Sequence, residues 1–168
     1  MPDEIINRIA NSKLVTIDLE DFYPQGKRVL FDIKDWLFEG LVLREKEFRK
    51  SVSSHDWEQY QNSFVVLHCS TDAIVPAWAF MLLTSHLEPF VKKVITGTLE
   101  NLESSIYQDI IQKLNVSEYL DKSIIIKGCS NKPIPTNAYI MLINKIKPVA
   151  KSIMYGEACS SVPLYKRK

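Results

Sequence analysis

Glycine is scarce in this sequence, at five among 168 residues, and no Gly-x-Gly-x-x-Gly, Walker-type loop, Gly-x-Ser-x-Gly elbow or His-Glu-x-x-His run occurs. Those absences argue against the common phosphate-cradling, nucleotide-binding and hydrolase sites, whose loops need glycine for close backbone approach. Net charge is also nearly absent. Twenty-one Lys and Arg against twenty Asp and Glu leave +1, so no nucleic-acid partner is expected. No stretch reaches the ~20 apolar residues that cross a bilayer, so no membrane partner is expected either. The start, Met1-Pro2-Asp3-Glu4, lacks a basic n-region and an apolar h-region, which points to a cytoplasmic protein. In that compartment three cysteines, an odd number, are not expected to form structural disulfides.

What is present is a globular balance, 46% hydrophobic and 24% charged, on a chain long enough for a real core. Leu14–Leu19 and Arg28–Ile33 read as strands around the turn Tyr23-Pro24-Gln25-Gly26, predicting a hairpin over 14–33. From Asp35 the apolar period becomes helical, through Trp36, Leu37, Gly40, Leu41, Arg44 and Phe48. Ser53-Ser54-His55-Asp56 reads as a cap and restart. Beyond residue 63 strands and helices alternate: strands at 64–68, 92–96, 123–127 and 151–155, helices at 76–88, 99–114 and 135–147. The Pro76 and Pro135 starts suit the first turn of a helix.

Residues 65–97 align on 125–156 with one gap near Val75. Cys69/Cys129, Pro76/Pro135, Ala79/Ala138, Leu83/Leu142, Pro89/Pro148 and Gly97/Gly156 are identical pairs. Each copy reads strand, Cys-Ser loop, Pro-started helix, strand. The expected fold is therefore α/β, a single domain 1–168. An N-terminal hairpin and helical region (1–62) precedes two β-α-β repeats (63–97 and 123–156) in a mainly parallel sheet.

Cys69, Cys129 and Cys159 each follow a strand and precede a serine. Loops at the carboxyl ends of parallel strands share one edge, where open α/β sheets bind ligands. If the strands before Cys69 and Cys129 are neighbours, three thiols converge there. Three thiolates with Asp72 or Glu157 would complete a tetrahedral zinc site, or hold an iron–sulfur cluster. The competing readings are inert buried thiols in a binding or regulatory module, and a nucleophilic cysteine activated at a helix start. No Cys-x-x-Cys pair strengthens the metal reading. His55-Asp56 reads as a cap rather than an acid–base pair. Trp36, Trp57 and Trp78 read as core residues. Asn131-Lys132-Pro133 reads as a solvated loop. The partner is unknown, and homo-oligomerisation stays open.

Five segments together resemble a bacterial family known as domain of unknown function 2480. They are Asn11–Thr16 with Asp18-Leu19-Glu20-Asp21; Asp32–Leu37; Cys69–Pro76; Lys127–Pro133; and Tyr155–Ser160. The resemblance spans nearly the whole chain and implies a small, one-domain, cytoplasmic protein. It brings no established activity and no functional residue. Iron–sulfur scaffold proteins also use three cysteines and an aspartate, but in another spacing and order.

Overall fold

The computed structural model describes residues 14–128, 130–157 and 160–168. The strands are β1 (Leu14–Ile17), β2 (Arg28–Asp32), β3 (Phe64–His68), β4 (Lys93–Thr96), β5 (Ser123–Ile126), β6 (Ser152–Glu157) and β7 (Ser160–Lys166). The α-helices are α1 (Glu45–Ser54), α2 (Ala77–Leu87), α3 (Leu99–Gln112) and α4 (Thr136–Ile146). The class is α/β with parallel-rich sheets, as the alternation predicts. Among the described residues the strands fall into two sheets, β2-β3-β4 and β1-β5-β6-β7, and of their ladders only β6/β7 is antiparallel.

The chain divides into two compact units. One, the inserted unit, is Pro24–Ile106; the other, the flanking unit, is Met1–Tyr23 with Tyr107–Lys168. Each has its own core. In the inserted unit Val65 and Leu67 pack with Ala79, Leu83, Leu87 and Phe48; in the flanking unit Ile124 and Ile126 pack with Ala138, Leu142, Ile146 and Tyr107. The central strands β3 and β5 are runs of large apolar side chains, the composition of strands covered on both faces.

The two β-α-β copies match bond for bond at a constant spacing. Phe64, partner of Lys93, and Ser123, partner of Ser152, stand 59 residues apart in both strands. Asn62 and Asp121 both take positive φ, and their amides donate to Phe90 O and Val149 O. Pro76 and Pro135 precede the helices with φ of −68° and −71°, and accept from the Ala79 and Ala138 amides. The match extends to β1 and β2, fourteen residues apart, where Asp18 just after β1 and Asp32 at the end of β2 each cap a 3-10 turn.

This register corrects the sequence alignment. No gap is needed near Val75, so Cys69 corresponds to Gly128, and Cys129 to Ser70. The cysteines are not equivalent positions.

Three further expectations change. The N-terminal strands stand where expected, but β1 pairs with β5 and β2 with β3 rather than with each other. The helix expected from Asp35 begins only at Glu45. Before it the chain makes a 3-10 turn (Ile33–Trp36), then turns back through Glu39 and Gly40 at positive φ, with a Phe38/Val42 bridge. Glycine makes that reversal inexpensive and ends any helix there. Strand β7 was not foreseen. Its ladder jumps from Ile153/Tyr165 to Met154/Pro163, so Leu164 is an extra residue and Pro163 sits at the irregularity. Proline lacks the amide a regular ladder needs and is confined to such places and to edge strands.

Candidate functional site

In a parallel sheet the carboxyl ends of all strands open on one edge. In the inserted unit that edge is organised by Asp32 at the end of β2. Its Oδ1 accepts the Lys34 amide at 3.0 Å, capping the 3-10 turn, and the Ser70 amide at 3.1 Å, holding the loop after β3. Its Oδ2 lies 3.8 Å from His68 Nε2. Desolvation pushes the Asp32 carboxyl upward, but hydrogen bonds from Ser70 and Lys34, with the His68 imidazole nearby, hold it below its ordinary value.

Cys69 follows immediately. Its thiol is half-buried, at the margin of the core and not within it. Thr71 Oγ1 donates to Gly40 O at 2.5 Å, and Cys69 Sγ lies 3.3 Å from that hydroxyl. With the hydroxyl proton committed to Gly40, the thiol is the donor to Thr71. Asp72 is exposed. His68 turns to Asp32, its register partner at the end of β2.

The flanking unit repeats the arrangement with different chemistry. Asp18 Oδ1 accepts the Glu20 amide at 3.0 Å, and its Oδ2 lies 3.8 Å from Lys127 Nζ. Lys127 stands 59 residues after His68, so each edge carries a carboxylate beside a basic side chain. Glu20 Oε2 accepts from Ser130 Oγ and the Asn131 amide, both at 3.2 Å, and pins the loop after β5. The Asn131 amide is thereby taken, and Lys132 lies with its ammonium 5.4 Å from the Tyr23 ring centroid.

Beside this loop, Gly128, Tyr155, Gly156, Glu157 and Ser160 line a cleft of about 320 Å³. Tyr155 OH donates to Gly128 O at 3.3 Å. A Cβ at position 128 would stand 2.8 Å from the Tyr155 ring, so glycine is what lets the tyrosine lie against the loop. Glu157 is exposed in the cleft.

The strand pairing supposed for the sequence-predicted ligands is not the one observed. The strands before Cys69 and Cys129 are not neighbours: β3 lies between β2 and β4, and β5 between β1 and β6. The strands that do neighbour each other are β5 and β6, which precede Cys129 and Cys159. Those two cysteines lie outside the described residues. Among the described residues no group of three or more His, Cys, Asp or Glu is placed to hold a metal.

The remaining candidates resolve into structure. Asp56 Oδ1 accepts the Glu58 amide at 3.1 Å, the expected cap. Trp57 is buried and donates to Val52 O at 2.9 Å, and Trp36 and Trp78 pack on the same core. His55 belongs to that cluster. It stacks on Tyr60, meets Trp57 edge-on at 4.8 Å, and its Nε2 lies 2.7 Å from Tyr60 OH. Burial lowers the His55 pKa, against a smaller upward pull from Asp56. In the fold it stays neutral while the unfolded chain protonates first, so stability is full above about pH 6.5 and falls below it. Urea midpoints measured from pH 8 to 5 should show this decline, and His55→Phe should flatten it. Identical pH slopes in the two proteins would contradict the assignment.

The fold and these edges define a two-sheet α/β protein with a capping aspartate and a basic residue at the carboxyl ends of the parallel strands in each sheet. No described helix is long and apolar enough to cross a membrane. A family profile described as "Protein of unknown function (DUF2480)" matches residues 3–167, and the chain belongs to that family. No curated protein and no solved structure matches it.

Proposed function

We propose that this is a metal-binding protein, with zinc as the ion, whose ligands are Cys129, Cys159 and Glu157. The supporting observation is that the described residues flanking both cysteines line one cleft. Gly128 directly precedes Cys129, while Glu157 and Ser160 bracket Ala158-Cys159. Two thiolates and a carboxylate suit zinc, which is borderline-soft and accepts sulfur and oxygen donors alike. Three protein donors leave one tetrahedral position to water, which zinc would acidify. Cys69 and Asp72, on the loop of a different sheet, fall outside this ligand set.

The test is elemental analysis and visible absorption of the anaerobically purified full chain. About one zinc per chain is expected, lost in Cys129→Ser and Cys159→Ser, weakened in Glu157→Gln and kept in Cys69→Ser. Iron with sulfide and a brown colour would replace zinc by a cluster. Absence of metal, or metal indifferent to both Cys129→Ser and Cys159→Ser, would overturn the proposal.

A further inference from the structure

The near-zero net charge conceals a segregation. Residues 120–168 hold nine Lys and Arg but only two acids, Asp121 and Glu157. The flanking unit gathers much of that charge at the amino ends of β5 and β6. The Lys151 amide donates to Lys122 O at 2.8 Å, the Arg167 amide to Lys151 O at 2.9 Å, and Lys166 is the register partner of Ser152. Lys147 Nζ lies 5.2 Å from the Tyr165 ring centroid. Asp121 is engaged by the Arg167 guanidinium.

Between these groups lies a cleft of about 350 Å³. Lys151, Lys166, Ser123, Ser152, Met154 and Pro163 line it; the register puts Ser123, Ser152, Met154, Pro163 and Lys166 on one face of the sheet, opposite the buried Ile153. We propose that this cleft binds a small organic phosphate, its phosphate held by Lys151, Lys166 and the serine hydroxyls and its apolar part against Met154 and Pro163. Lysine acts on phosphate as a point charge, and hydroxyls add directional donors. The volume falls at the small-molecule end of the ligand-site range. Met154 and Pro163 do not form the aromatic stacking track that single-stranded nucleic acid uses.

The test follows amide shifts of the full chain by NMR during titration with phenyl phosphate. Saturable shifts centred on Ser123, Ser152 and Lys166 are expected, with a dissociation constant of about 1 mM or below. Lys151→Glu and Lys166→Glu should weaken binding at least about tenfold, and Ser152→Ala less, whereas Lys132→Glu should leave it unchanged. The proposal is overturned by any of four results: no saturation by about 10 mM, equal weakening by Lys132→Glu, inorganic phosphate binding as tightly, or a short single-stranded oligonucleotide binding more tightly at the same residues.

Discussion

Replacing Glu103 by alanine should destabilise the protein by about 3–5 kcal/mol, the usual consequence of leaving one partner of a buried ion pair alone. Arg28 Nε donates to Glu103 Oε1 at 2.8 Å, with side-chain exposures of only 14% and 7%. The guanidinium also donates to Pro24 O and Gly26 O and lies over the Phe64 ring at 4.7 Å. Those contacts fix the arginine in place, so it cannot swing into water when its carboxylate is removed. They also supply partial compensation, which favours the lower part of the range. Arg28→Met with Glu103→Leu should recover most of the loss, since apolar groups of similar volume need no desolvation. Urea denaturation of the two single variants and the double variant measures the coupling. A loss below about 1 kcal/mol for Glu103→Ala would mean that the pair is effectively solvated.

Leu83→Ala and Leu142→Ala should each cost about 2–5 kcal/mol, the range for emptying a fully buried leucine site. Both side chains are 0% exposed, and each faces its own sheet from the middle of its helix. They stand at the same spacing of 59 as the strand ladders, so similar losses are expected. Far-UV circular dichroism follows both. All three tryptophans (Trp36, Trp57 and Trp78) belong to the inserted unit, so their fluorescence reports Leu83→Ala most directly. A cost below about 1 kcal/mol for either variant would deny the equivalence of the two cores.

The repeated β-α-β pattern was legible because its signals are local. Proline stands before each helix and soon after it, and Ile124-Ile125-Ile126 and Val65-Val66-Leu67 are β-rich runs between polar loops. Pairing is not local. Nothing in the sequence of β3 distinguishes β2 from β5 as its neighbour, and β2 is the one it pairs with. The identity of Cys69 and Cys129 also drew the alignment one residue out of register, where strand spacing outweighs a matched pair. Strand β7 was hidden by Pro163, and the late start of α1 by an apolar period running through Gly40. The capping aspartates did leave a trace. Asp18-Leu19-Glu20-Asp21-Phe22 and Asp32-Ile33-Lys34-Asp35-Trp36 share aspartate, apolar, charged, aspartate, aromatic. Their basic companions, Lys127 and His68, lie too far along the chain to be paired with them by inspection.

Zinc K-edge X-ray absorption on the purified full chain tests the metal assignment most directly. The account predicts two sulfur neighbours at about 2.3 Å, with oxygen or nitrogen at about 2.0–2.2 Å completing the shell. Three or more sulfur neighbours would bring Cys69 into the site and contradict the two-thiolate cleft, and a shell without sulfur would contradict the cysteine site altogether.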